Sequence, residues 1–174
     1  MNEWAGQTER GTASGGIIVG PGEGRTIRGT DAITLIATAE QTGGSIGVFE
    51  DISSPGDGPP RHVHYGSDEL FYLLEGEFLI LVGERQESVS TGTYVFVPRG
   101  TVHAYKVTGT KRGRMLSAFI PGGPERGFEE FVKLRTEGEV VNRSVRRSRS
   151  VAQMNEMFAQ INEKYDSEFV GPPL

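Results

Sequence analysis

Cysteine is absent from the 174 residues, and that absence excludes disulfides, iron–sulfur clusters, thiolate zinc sites and a cysteine nucleophile. Positive charge is in deficit, with 18 Lys and Arg against 23 Asp and Glu and a net charge of -5. DNA or RNA phosphates call for clustered cations, so no nucleic-acid partner is expected. No apolar run approaches the ~18 residues of a membrane span, and the opening MNEWAGQTER lacks the apolar core of a signal peptide. The expectation is therefore a soluble, cytoplasmic protein with no membrane partner. No repeat of 20 to 50 residues is visible, which removes solenoids and propellers. Histidine is scarce as well: His62, His64 and His103 are the three in the chain.

What is present points to β structure. The 25 glycines and 9 prolines beside 36% hydrophobic residues describe a folded chain with many tight turns rather than a disordered one. A chain of this length suits one domain with extensions. The runs Ile33 to Ala39 and Ser45 to Asp51, separated by Gln41-Thr42-Gly43-Gly44, read as a hairpin. Further strands are expected over Glu69 to Leu74, Phe78 to Val82, Ser88 to Ser90, Thr93 to Val97, Val102 to Val107 and Met115 to Ile120. Such short strands, each bounded by Gly, Pro or a polar pair, indicate a sandwich or barrel. Ile17, Ile18 and Val19 are expected to form one more strand in a turn-rich arm. Gly20-Pro21-Gly22-Glu23-Gly24 is read as part of that arm rather than as a phosphate loop, because no helical apolar period follows it.

After Pro121-Gly122-Gly123 the pattern turns helical. One helix is expected near Glu125 to Arg135, and another from Ser150, where Ser150 and Gln153 fit a capping box. Met154, Met157, Phe158 and Ile161 fall on one helical face and read as packing onto the barrel. Between the helices Arg143, Arg146, Arg147 and Arg149 read as solvated surface. Leu70-Phe71-Tyr72-Leu73-Leu74 is apolar at odd and even positions alike, so both faces of that strand should be covered. The simplest symmetric cover for the outer face is a second copy, a homodimer; the chain's own terminal segments are the alternative.

Chemistry is carried by the histidines. His62 and His64 are two apart, so an extended strand points both to one face. Tyr65-Gly66-Ser67-Asp68 can turn the chain and bring Glu69 back beside them, and Pro98-Arg99-Gly100 makes a second turn before His103. Three neutral imidazoles and one carboxylate suit one divalent transition-metal ion (Ni, Fe, Mn, Co, Zn or Cu), whereas magnesium and calcium prefer more oxygen. The same alternation points Phe71, Leu73 and Tyr105 into the barrel, as core packing or as the wall of a substrate pocket.

These residues resemble the cupin superfamily. Its first motif, G-x5-H-x-H-x4-E-x6-G, is met by Gly56, His62, His64, Glu69 and Gly76. Its second, G-x5-P-x-G-x2-H-x3-N, is met by Gly92, Pro98, Gly100 and His103, with Val107 at the final Asn position. The stretches Thr42 to Glu50, Gly58-Pro59-Pro60, Leu74 to Phe78, Pro121-Gly122-Gly123 and Gly171-Pro172-Pro173-Leu174 are similar to small single-domain cupins that resemble quercetin dioxygenases.

The resemblance implies an all-β fold, a double-stranded β-helix or jelly-roll barrel with C-terminal helices. It sets one cupin domain over 1–174: an N-terminal arm and hairpin strand over 1–44, a barrel core over 45–120 and a C-terminal helical extension over 121–174. It further implies a metal at His62, His64, Glu69 and His103, with Glu69 as catalytic base. The implied activity is that of a dioxygenase on a small flavonol-like or polyphenolic enol, in which O2 adds across the ring, the ring opens and carbon monoxide leaves. The same branch also resembles polyketide cyclases, so a Lewis-acid cyclase or isomerase remains open, as does a cupin that binds a small molecule unchanged.

Overall fold

The computed structural model describes residues 15–28, 32–130 and 159–174. Eleven strands are present among them: β1 (Arg25–Arg28), β2 (Ala32–Ala37), β3 (Gly47–Ser53), β4 (His62–His64), β5 (Asp68–Glu75), β6 (Glu77–Val82), β7 (Arg85–Ser90), β8 (Tyr94–Val97), β9 (His103–Val107), β10 (Gly113–Ile120) and β11 (Ser167–Phe169). One sheet runs β1-β2-β3-β10-β5-β8 and the other β11-β4-β9-β6-β7.

Alternation decides which side chains meet between the sheets. Along β3 every second residue is buried, from Gly47 through Phe49 and Asp51 to Ser53, as a strand with one face on a core requires. Phe71 and Leu73 of β5, Val97 of β8 and Met115 of β10 pack against Phe78 and Ile80 of β6 and Tyr105 and Val107 of β9. Both sheets thus contribute to one core, the arrangement of a jelly-roll barrel. A second apolar cluster joins Ile27, Leu35, Phe49 and Phe119, with the Phe49 and Phe119 rings stacked at 5.3 Å.

Turn chemistry fixes the registers. Gly83 and Glu84 link β6 to β7, Gly83 has φ 59°, and Val82 sits opposite Arg85; a glycine at the first central position is what a two-residue hairpin of this kind needs. Gly76, between β5 and β6, has φ 97°, and a Cβ there would lie 2.9 Å from the Gly113 Cα. No larger residue fits.

The expected hairpin is present as β2 and β3. Ile17 to Val19, however, do not form a strand. Ile18 is almost wholly exposed, and the arm enters the sheet later, at β1, whose Arg25-Thr26-Ile27-Arg28 pairs with β2. That strand is too polar to stand out in sequence, and of Arg25, Thr26 and Ile27 it is Ile27 that is buried.

The expected helix near Glu125 begins as a 3-10 turn at Pro124–Arg126 and continues helically over 127–130; its remainder lies outside the described residues. So do Ser150, Gln153, Met154, Met157 and Phe158, and the basic run from Arg143 to Arg149. Ile161, on the last helical stretch, is buried. Beyond it the C-terminal extension is not helical: β11 joins the second sheet against β4.

Outside β5, the face expected to be covered is open among the described residues. Tyr72 is 43% exposed, Tyr94 58% and Phe96 48%, and Tyr72 stands opposite Tyr94.

Candidate metal centre

β4 carries His62 and His64, and β9 begins at His103, directly opposite His62. Glu69 comes from the other sheet, where β5 sets it opposite Val97 and Phe119. Three imidazoles are therefore supplied by one sheet and the carboxylate by its partner, so the quartet closes only when the sheets pack. The bend after Tyr65 is secured by Ser67, whose hydroxyl donates to the Pro121 carbonyl at 2.8 Å. Arg99 clamps Asp68 through its backbone N–H and its guanidinium, at 2.8 to 3.0 Å. The Gly100 N–H donates to the His64 carbonyl at 2.7 Å. These bonds tie the two motif turns together beside Glu69 and His103.

One ligand atom from each of His62, His64, Glu69 and His103 lies within 4.8 Å of every other. The His62 and His103 rings are 4.1 Å apart between centroids, His62 and His64 5.1 Å, and His64 and His103 5.4 Å. Glu69 Oε2 is 2.8 Å from His103 Nε2 and 3.4 Å from His64 Nε2. Each Nδ1 is engaged on the outside. His62 donates to the Pro60 carbonyl at 2.8 Å and His103 to the Thr101 carbonyl at 3.0 Å, since a carbonyl can only accept. His64 Nδ1 meets Ser167 Oγ at 2.9 Å. With Nδ1 so occupied, each ring turns Nε2 toward the common centre, as a ligating histidine does.

The electrostatics fit a site built for a cation. Burial alone would raise the Glu69 carboxyl, but hydrogen bonds from His103 and His64, with their charge, hold it well below the ordinary carboxylate range. Burial would likewise lower His103, yet its bond to Glu69 and that group's charge raise it. Burial and the neighbouring His103 push His62 down to about 3. Four donors of nitrogen and oxygen type, converging, three of them buried and His62 partly so, with one formal negative charge among them, could hold a divalent transition-metal ion.

All four residues singled out in the sequence are thus brought together. Phe71, Leu73 and Tyr105 are buried inside the barrel; the Phe71 ring is 6.3 Å from His103 and 6.1 Å from Tyr105. Sequence reasoning missed two groups. Asp51 is buried in the barrel and accepts hydrogen bonds from the Tyr105 hydroxyl and from Ser53 Oγ, the latter at 2.9 Å; the alternation of Phe49, Asp51 and Ser53 on β3 was the signal available. Ser167 is 103 residues from His64, and no local pattern announces it. A surface cleft of about 480 Å³ lies elsewhere, by β2 and Arg126 and Tyr165, and includes none of the quartet.

An antiparallel double-stranded β-helix with three imidazoles and one carboxylate on its inner face defines the class of protein. Residues 52–119 match the cupin domain family, and the two antiparallel sheets have the double-stranded β-helix fold of the solved cupins. It is 34% identical over 103 residues to quercetin 2,3-dioxygenase of Bacillus subtilis, a match covering 58% of this chain and 30% of that protein. It is 27% identical over 95 residues to the tetracenomycin polyketide synthase protein TcmJ of Streptomyces glaucescens, covering 55% of this chain and 62% of the relative. The chain thus spans less than two thirds of either relative's length. Among solved structures, an RmlC-like cupin from Shewanella frigidimarina superposes with a TM-score of 0.54 at 18% identity, over 64% of this chain and 96% of that one. No helix among the described residues is long and apolar enough to cross a membrane.

Proposed function

We propose that the protein is a metal-dependent dioxygenase acting on a small flavonol-like or polyphenolic enol. The observation that carries this reading is the convergence of His62, His64, Glu69 and His103 within 4.8 Å, beside an aromatic wall of Phe71 and Tyr105. The quercetin 2,3-dioxygenase relative supports the substrate class.

The four residues would hold one divalent transition metal, whose Lewis acidity lowers the pKa of an enol or phenol oxygen. Glu69 is kept as a carboxylate by its imidazole neighbours and, if it loosens from the metal, is the natural group to receive that proton. Phe71, Leu73 and Tyr105 offer a flat ring an apolar surface and exclude water. Every histidine is committed to the centre, so no Ser–His–Asp triad can be assembled from this chain.

The decisive experiment follows O2 uptake by the metal-loaded protein with a flavonol. Consumption of O2 with loss of the flavonol absorbance supports the reading, and none with any flavonol or related enol refutes it. The TcmJ relative favours a second reading, a cyclase or isomerase of aromatic polyketides that uses no O2; turnover under strict anaerobiosis would select it.

The protein is further read as a homodimer formed through the outer face of β5 and β8. The exposed Tyr72, Tyr94 and Phe96 lie there together, and a contiguous apolar patch of this kind marks an interaction surface.

A further inference from the structure

His64 differs from the other two histidines in how it is aimed. His62 and His103 donate Nδ1–H to carbonyls two residues back in their own segments, Pro60 and Thr101. The partner of His64 Nδ1 comes from the far end of the chain, where Ser167 Oγ lies 2.9 Å away. The same Oγ lies 3.1 Å from the Tyr165 carbonyl. A carbonyl only accepts, so the Ser167 hydroxyl proton is directed to Tyr165, and its lone pair accepts from His64 Nδ1–H. In the neutral imidazole that order places the proton on Nδ1 and leaves the Nε2 lone pair, 3.4 Å from Glu69 Oε2, as the one a metal ion would take.

The strand beneath has the same dependence. β4 carries two members of the quartet but meets β9 in register only at His62↔His103. All three of its residues are in register with β11: His62↔Phe169, Val63↔Glu168 and His64↔Ser167. The pairing is extended at both ends. Tyr65 N–H donates to the Asp166 carbonyl at 2.8 Å, and Val170 N–H donates to the Arg61 carbonyl at 2.8 Å. The Tyr65 hydroxyl donates to Glu168 at 2.6 Å, and the Phe169 ring stands edge-on to His62 at 6.2 Å.

We propose that the C-terminal strand is part of the metal centre: Ser167 is a positioning residue for His64, and docking of β11 is coupled to metal occupancy. The proposal rests on the metal-site reading above. Coupling is reciprocal, so whatever factor a docked β11 adds to metal affinity, bound metal adds to the docking of β11. Loss of a hydrogen-bond partner behind a ligating histidine lowers metal affinity by about 10- to 100-fold, and that is the effect expected here.

The test uses the full chain, stripped of metal and titrated with Co2+ or Ni2+ against a competing chelator. Ser167→Ala should weaken binding about 10- to 100-fold and alter the Co2+ visible spectrum, and Ser167→Thr, which keeps the hydroxyl, should restore both. In the unaltered chain, metal should slow hydrogen exchange at the amides of 167–170 and leave those of Arg85–Ser90, on the opposite edge of the same sheet, unchanged. Parent-like affinity in Ser167→Ala, or exchange in β11 indifferent to metal, overturns the proposal. The exchange measurement needs no variant, so a poorly folding Ser167→Ala does not protect the idea. If His64→Ala and His103→Ala also bind metal as the parent does, the metal-site reading itself has failed. If they lose metal while Ser167→Ala does not, only the role of the C-terminal strand has.

Discussion

Replacing Tyr105 by Phe isolates one buried hydroxyl. The Tyr105 ring packs at 6.1 Å from Phe71 and 6.0 Å from Phe78, and Phe preserves those contacts. What is lost is the bond from the hydroxyl to Asp51, leaving the buried carboxylate with one donor fewer. A hydrogen bond to a charged group contributes about 1.5–3 kcal/mol, so a cost of about 2 kcal/mol is expected. In a domain of this size that lowers Tm by about 4–8 °C. Alkaline pH adds a second signature. Burial, then the adjacent Asp51 carboxylate, holds the Tyr105 phenol well above its ordinary value. The unfolded phenol ionises near pH 10 while the folded one does not, so this group's stabilisation is present below pH 10 and is lost as pH rises further, by about 1.4 kcal/mol per pH unit. Tyr105→Phe should lack that component, and the other tyrosines cancel in the comparison. Urea unfolding of both proteins from pH 7 to 11 reads the two effects, with metal content by elemental analysis as a control. A loss under about 0.5 kcal/mol at pH 7, or parallel alkaline profiles, would refute the reasoning.

Saturating metal should stabilise the parent by about 2.7 kcal/mol at a free concentration of 100 Kd, and a chelator should reverse the gain; His64→Ala and His103→Ala should show neither effect in thermal melts. Glu69→Gln should keep more metal than either His variant but lose turnover, and parent-like turnover would remove Glu69 as the base. Ser117 Oγ is buried without a hydrogen-bond partner among the described residues, so Ser117→Ala should raise stability by about 1 kcal/mol; a loss in urea unfolding would show that the hydroxyl is satisfied in solution. The parent should sediment as a dimer and the double variant Tyr94→Lys, Phe96→Glu as a monomer, while a monomeric parent at micromolar concentration would contradict the dimer reading.

His62, His64 and Glu69 were legible because their logic is local, and His103 was marked by the turn Pro98-Arg99-Gly100 before it. A two-residue spacing puts His62 and His64 on one face of any extended strand, and a turn at Tyr65-Gly66-Ser67-Asp68 leaves Glu69 few places to go. The core strands were legible for the same reason, since alternation and glycine-marked turns act within a few residues. β1 was not, because an outer strand of the composition Arg25-Thr26-Ile27-Arg28, with Ile27 as its apolar residue, looks like a loop.

By itself the sequence carried the β class, the inward-facing residues and the four residues that meet at the candidate centre. Only the tertiary structure decided that the four side chains come from two sheets, that Tyr105 and Asp51 share a proton-bearing contact across the barrel, and that a strand, β11, follows the last helical stretch. The pairing of Ser167 with His64 spans 103 residues, and local propensity carries no information over such a distance; it exists because sheet register places β11 beside β4.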